Sequence, residues 1–380
     1  MQSDILCFSH LRWDFVYQRP QHLLSRFSAR HRVFYIEEPI FDGPLDHCSI
    51  RKIPDMNIWI VVPHLDAGMS PQEIINRQRL MMDDLIHKSG LEDYIAWYYT
   101  PMALPFTEGL NPRTIVYDCM DELSGFKFAP PDLVELENEL MLTADVMFTG
   151  GNSLYQAKKA KHQNIYSFPS SIDKDHFMAA RKDQPDPEDQ QHIDHPRLGF
   201  FGVIDERFDH ELIHQAALRR PDLNFIFIGP VVKIDPAALP RARNIHYLGG
   251  KSYSQLPQYL AGWDIAIMPF ARNASTRYIS PTKTPEYLSG GKPVISTSIH
   301  DVVNPYGLES LALIADTAEE FISSADELLS MDANARAAWL ERVDEFLAEM
   351  SWDDTQGAMA LLIQESIEKK IDHQKFLPYV

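Results

Sequence analysis

Ser280–Thr297 reads SPTKTPEYLSGGKPVIST, an order of residue types that predicts a proline-bearing loop, a short helix and a strand. Lys283 falls in the first helical turn and Glu286 one turn later. A lysine there can neutralise a pyrophosphate resting on the helix N-terminus, while a carboxylate accepts hydrogen bonds from both hydroxyls of a ribose. The same two residues also read as an exposed i,i+3 ion pair. Gly290-Gly291-Lys292 lacks the full phosphate-loop pattern, and Pro293 follows the lysine. A glycine after a helix suits a left-handed cap, with Lys292 opening the strand KPVIST.

Outward from that stretch, short apolar strands alternate with helical segments, the pattern of β-α units winding a parallel sheet. The second half runs LGFFGVI, a helix from Asp209, NFIFIG, NIHYLGG, a helix near Ser254–Ala261, DIAIMPF, a helix from Thr282, KPVIST and LALIA. Before it, RKDQPDPEDQQHIDHPR at Arg181–Arg197 is poor in apolar side chains and holds Pro185, Pro187 and Pro196, so it reads as a linker with little to give a core. The first half repeats the alternation. Strands are expected around Ile5–Ser9, Val33–Ile36, Ile58–Val62, Ile95–Tyr99, Thr114–Tyr117, Val146–Thr149 and Ile165–Phe168. Helices are expected at Gln18–Ala29, Pro71–Lys88, Pro131–Thr143 and Asn152–Lys161, with Pro131 in a first turn and Asn152 as a cap. Three helical stretches follow Ala318, more than a final β-α unit needs. The expected division is a domain over 1–180, a linker over 181–197, a second domain over 198–350 and a terminal helix over 351–380. Two such domains face each other across a cleft bordered by strand C-termini.

A chain of 380 residues with 45% hydrophobic content is a packed globular one, long enough for two cores. Its formal charge of −19 would repel a phosphate backbone or an anionic lipid surface at long range, which argues against nucleic acid as a partner. Cys7, Cys48 and Cys119 form no C-x-x-C pair, so neither a disulfide framework nor a cysteine zinc site is expected. The N-terminus is too polar for a secretory signal and no run reaches the length of a membrane span. A cytoplasmic location is the expectation.

Two local motifs point elsewhere. His210-Glu211-Leu212-Ile213-His214 matches the zinc helix pattern H-E-x-x-H, but a third ligand is missing downstream, and a surface helix capped by Asp209 accounts for it. A zinc hydrolase on His210 and His214 is the alternative this motif offers. Asp173-Lys174-Asp175 resembles a D-x-D metal clamp. No metal is expected at either.

Seven segments in order resemble GT-B glycosyltransferases, especially the bacterial group 1 type associated with cell-surface polysaccharide synthesis. Besides Ser280–Thr297 they are Phe8–Arg26 (FSHLRWDFVYQRPQHLLSR), Val116–Phe126 (VYDCMDELSGF), Pro169–Phe177 (PSSIDKDHF), Leu198–Asp209 (LGFFGVIDERFD) and Ile245–Phe270, with SWDDT at Ser351–Thr355 closing the series. The resemblance spans nearly the whole chain. It implies an α/β GT-B architecture: two Rossmann-like parallel-sheet domains facing a central cleft, with the C-terminal helix crossing back to the first domain.

The resemblance further implies a nucleotide-sugar donor, UDP- or GDP-linked, held by the second domain, and a glycan or lipid-linked acceptor facing the first. No other cofactor is implied, and the lipid-linked acceptor would bring peripheral contact with the inner face of a membrane. Glu286 matches the ribose-binding glutamate and Lys283 a basic position at the diphosphate. Thr282, Gly202 and Arg207 lie beside them, Arg207 offset by about one position from a family phosphate contact. Tyr278 stands where retaining members carry a glutamate that touches the donor sugar. For the base that takes the acceptor proton, Asp121 is the first candidate, with Asp118 and Glu122 in the same run; one of the three can instead cap the next helix. His10, Arg12, Trp13, Asp14 and Arg19 of the opening loop are expected on the acceptor side, although Trp13 also suits a cover for the sheet. A non-catalytic nucleotide-sugar-binding protein would keep the second-domain residues and lack the acids.

Overall fold

The computed structural model describes residues 3–376, with side chains described as far as Ile371. Residues 1–2 and 377–380, the extremities of the first and last expected segments, lie outside them. Two parallel sheets organise the chain. The first orders its strands Ile40–Phe41, Ile58–Leu65, Val33–Ile36, Asp4–Phe8, Tyr94–Tyr98, Thr114–Cys119, Val146–Thr149 and Ile165–Ser167, with His47–Lys52 antiparallel on Ile58–Leu65. The second orders Ile245–Tyr247, Asn224–Ile228, Arg197–Phe201, Ile265–Met268, Val294–Ser296 and Ala312–Ile314. In each, the first strand lies between its successors. Leu198 pairs with Phe225 on one side and Ile265 on the other. Ile5 likewise pairs with Val33 and Ile95. Strand order reverses at these points, so the loops after Phe8 and Phe201 diverge and leave crevices at the strand C-termini.

Burial on both faces explains the near-continuous apolar strands. Phe225, Ile226 and Phe227 are all fully buried, as are Ile265 to Met268 within a percent or so of exposure. Gly199 is required where the first strand of the second sheet passes Trp263, because a Cβ there would stand 2.0 Å from the indole. The Asp209 side chain caps helix His210–Arg219 by accepting from the Leu212 N–H at 2.9 Å.

Several elements differ from the sequence expectation. The strands Ile40–Phe41 and His47–Lys52 were not foreseen: one is only two residues long, the other mixes polar and apolar residues, and both are mostly exposed at the sheet edge. The third large helix begins at Leu133 behind Asp132, so Pro131 precedes its first turn, and Gly151 rather than Asn152 occupies the cap of the next. Arg181–Arg197 is no loose tether. Gln190 is fully buried, accepts from Trp263 Nε1 at 2.9 Å and donates to the Tyr259 carbonyl, while Ile193 joins the second core. Asp186 pairs with Arg197, and Asp189 with Lys251. Polar side chains thus fasten this segment to the second domain. Ile172 and Phe177 also belong to that core, ahead of residue 181.

The helix Trp352–Phe376 crosses to the first domain. Trp352, Met359, Ile363 and Ile367 are buried in the core that holds Leu23, Phe27 and Trp97. No described helix is long and apolar enough to cross a membrane.

Candidate functional site

The helix Lys283–Ser289 borders the interdomain cleft with its N-terminal end. Gly290 closes it in right-handed geometry; the left-handed residue is Gly291, at φ +73, whose N–H bonds to Leu288 O while Lys292 N bonds to Tyr287 O. Lys292 turns away from the cleft and donates to the Ala261 carbonyl at 2.7 Å. The cleft itself encloses about 680 Å³, between Trp13, Asp14 and Tyr17 of the first domain and Gly202, Arg207, Gly229, Lys251, Tyr253, Thr282, Lys283 and Glu286 of the second.

Lys283 and Glu286 are not an exposed surface pair. Glu286 is 6% exposed and both groups line the cleft. Burial raises the Glu286 carboxyl above its ordinary range and lowers the Lys283 ammonium, each partly opposed by the charge of the other. Gly202, at φ +148, lets the lysine pass: a Cβ there would stand 2.2 Å from Lys283 Cε. The Lys283 ammonium lies 5.7 Å above the Phe200 ring. Arg207 is anchored by a bidentate pair with Asp205, with Nη2 to Oδ2 at 2.7 Å, and its guanidinium lies 5.4 Å from the Phe126 ring of the first domain. Thr282 precedes the helix and lines the same wall.

The three acids after Tyr117 have separate surroundings. Asp118 is fully buried and takes three bonds from Arg19, at 2.8 to 3.0 Å. Arg19 is 3% exposed and also donates to Phe168 O at 2.8 Å. Neither faces the cleft, which corrects Asp118 as a base and Arg19 as an acceptor contact: the pair ties the opening helix to the sheet. Glu122 is corrected too, since it is held 2.9 Å from Lys158 and accepts from Ser124 Oγ. Asp121 is different. Burial pushes its carboxyl up to about 6 against the pull of Arg207, Arg19 and Lys283, with Asp205 adding to the rise. It therefore senses the cations of the opposite wall.

In the opening loop, Arg12 donates to Glu37 Oε2 at 2.9 Å and to Glu38 O at 2.6 Å, so it braces that loop rather than presenting a free cation. Trp13 is 9% exposed, packs edge-on against Tyr35 and keeps one edge in the cleft. Asp14 is exposed at the cleft margin and pairs with Arg51. His10 is pushed down to about 4 by burial, and its Nδ1 lacks a partner. Beside this loop a smaller cavity of about 280 Å³ opens in the first domain, lined by Ile36, Glu38, Phe41, Gln78 and Phe106 among others.

Tyr278 is a further correction. It does not line the cleft with Lys283 and Glu286 but packs against the first-domain core, with Arg277 stacked on its ring at 5.1 Å. Sequence reasoning missed Tyr253 and Phe126 as parts of the site. Tyr253 is stacked between Tyr17 at 4.4 Å and His176 at 4.2 Å, and its hydroxyl is buried without a partner. Its sequence signal is a place in the loop after NIHYLGG, inside the resembling segment Ile245–Phe270. Among the described residues no three His, Cys, Asp or Glu side chains are grouped as a metal site, and His210 and His214 stand on an outer helix.

Comparison with known proteins agrees with this geometry. Residues 195–331 match the family model for Glycosyl transferases group 1. A Bacillus subtilis (strain 168) protein assigned to teichuronic acid biosynthesis as glycosyltransferase TuaH is 24% identical over 284 residues, 69% of this chain and 71% of that protein. Among solved structures, an E. coli trehalose-6-phosphate structure bound with UDP-2-fluoro glucose superposes with a TM-score of 0.70 at 12% identity, covering 96% of this chain and 99% of the other. Sucrose-phosphate synthase from Thermosynechococcus elongatus gives 0.69 at 13% identity, covering 96% and 99%. Anabaena HepE in complex with UDP and glucose gives 0.66 at 13%, covering 96% and 100%. Two facing Rossmann-like domains with a cationic cleft at their strand ends give the chain a GT-B fold, and its residues 195–331 are similar to the glycosyl transferases group 1 family.

Proposed function

We propose that the chain transfers a sugar from a nucleotide-sugar donor to a glycan or lipid-linked acceptor in cell-surface polysaccharide synthesis. The carrying observation is the placement of Lys283 and Glu286 together on one helix end in a cleft of about 680 Å³. The diphosphate sits by the helix N-terminus and Lys283, and Glu286 accepts from the ribose hydroxyls. UDP is the first donor nucleotide to test, because two of the similar structures hold UDP or a UDP-sugar.

Departure of the sugar leaves negative charge on the diphosphate and positive charge on the ring. Lys283 and Arg207 offset the first charge, which supports a reaction with no essential metal. Asp121 takes the acceptor hydroxyl proton; its raised range lets it hold that proton near neutral pH. The acceptor approaches from the side of Trp13 and His10. Closure of the domains around both substrates excludes water and limits hydrolysis of the donor. A cytoplasmic protein touching the membrane only through a lipid-linked acceptor fits this scheme.

Screening UDP- and GDP-sugars by thermal shift tests the reading. One donor should raise the melting temperature of the wild type and not that of Glu286→Ala. No shift with any nucleotide sugar contradicts it.

A further inference from the structure

A second cavity of about 700 Å³ opens on the seam between the domains, and it shares no lining residue with the Lys283/Glu286 cleft. Its walls come from the loops after the strands Ile265–Met268 and Val294–Ser296 and from the helix Asn152–Lys158 of the first domain. The ionisable groups on it are Arg272, Arg277, Tyr278 and His300, and no carboxylate lines it.

The acids nearest the wall face backbone amides. Asp316 accepts from Ser298 N at 2.8 Å and from Arg272 at 3.1 Å; Asp301 accepts from Ser153 N and from His300 Nδ1, both at 3.0 Å. They hold Arg272 and His300 at the rim, each more than half exposed. Arg277 is exposed, has no carboxylate partner among the described residues, and its guanidinium carbon lies over the Tyr278 ring in a cation–π contact, 5.1 Å from the ring centroid. An aromatic face beside two arginine forks suits a ring that is apolar on one side and carries an anion. Gln156 adds a neutral donor and acceptor.

We propose that this seam cavity binds an anionic saccharide, with its ring against the Tyr278–Arg277 stack and its carboxylate or phosphate between Arg277 and Arg272. The site stands apart from the donor assignment. It is nevertheless adjacent, because Ala271, at the head of the same loop, donates its N–H to the Arg207 carbonyl at 2.7 Å.

Calorimetry on the full chain tests this with four matched probes: digalacturonate, galactose 6-phosphate, neutral galactobiose and inorganic phosphate. At least one charged sugar should bind roughly tenfold more tightly than both galactobiose and inorganic phosphate, the increment of one good charge-assisted contact. Whichever charged sugar binds names the anion. Arg277→Glu should abolish that binding while leaving the melting temperature and any UDP affinity unchanged; Arg272→Ala should weaken it severalfold. The proposal is overturned if galactobiose binds as well as the charged sugars, if inorganic phosphate alone matches them, if nothing binds, or if Arg277→Glu binds like the wild type. Loss of UDP binding in the wild type would count against the donor cleft and leave this test intact.

Discussion

Asp118 and Asp121 are three residues apart, and burial treats them in opposite ways. Asp118 meets a guanidinium in the interior and becomes a structural anchor; for Asp121 the charges of Arg207, Arg19 and Lys283 only partly offset burial, and its proton is held to about pH 6. Removing Arg19 would leave Asp118 as an unpaired buried charge, so Arg19→Ala should cost about 3–5 kcal/mol in urea unfolding. Asp121→Asn should instead lower the transfer rate by about 10²–10⁴ with nucleotide binding retained, and wild-type activity should rise as pH passes through about 6. A loss below tenfold would remove Asp121 as the base. The stability sign is opposite to that of a salt-bridged acid. The ordinary value is 3.8 and the folded one about 6, so ionisation works against folding, from nothing below 3.8 to its full effect above 6. Asp121→Asn should therefore melt higher than wild type at pH 7.5, the gap narrowing toward pH 4.

Elements were legible in the sequence where their burial was two-sided. Val33–Ile36 and Val146–Thr149 have the expected bounds because four consecutive apolar or β-forming residues leave no other reading. The edge strand His47–Lys52 escaped because HCSIRK alternates weakly and its side chains are mostly exposed. Arg181–Arg197 escaped for another reason: it is fixed by Gln190, Asp186 and Asp189, polar residues whose partners Trp263, Arg197 and Lys251 cannot be guessed from spacing. The crossing helix was visible as a surplus after Ser351, and Trp352 is its anchor. It is fully buried and stacked on His22 at 4.7 Å. Trp352→Ala should destabilise the fold by about 3–5 kcal/mol, measured by chemical denaturation. A change within about 0.5 kcal/mol, the range of a surface substitution, would show that this helix is not anchored there.

At the scale of the molecule, the grouping of Lys283, Glu286 and Thr282 on one cleft wall was readable because they sit on one short segment. The places of the acceptor-side candidates Arg12 and Arg19 and of the donor-side candidate Tyr278 were not, since they depend on Glu37, Asp118 and the first-domain core, all remote in sequence. The two domains meet through the Phe126 ring, with Arg207 at 5.4 Å and Lys233 at 5.3 Å, and through Lys127 N bonding Glu206 at 3.1 Å. Phe126→Ala should weaken this bridge and lower kcat more than donor affinity; equal kcat in mutant and wild type would show that the contact plays no part in closure. The central claim is that one helix end holds the donor nucleotide. Calorimetric titration of the wild type, Lys283→Ala and Glu286→Ala with UDP, and with GDP in parallel, tests it most directly: one nucleotide should bind the wild type and lose at least tenfold in affinity in each variant, whereas equal affinity in all three proteins would contradict the account.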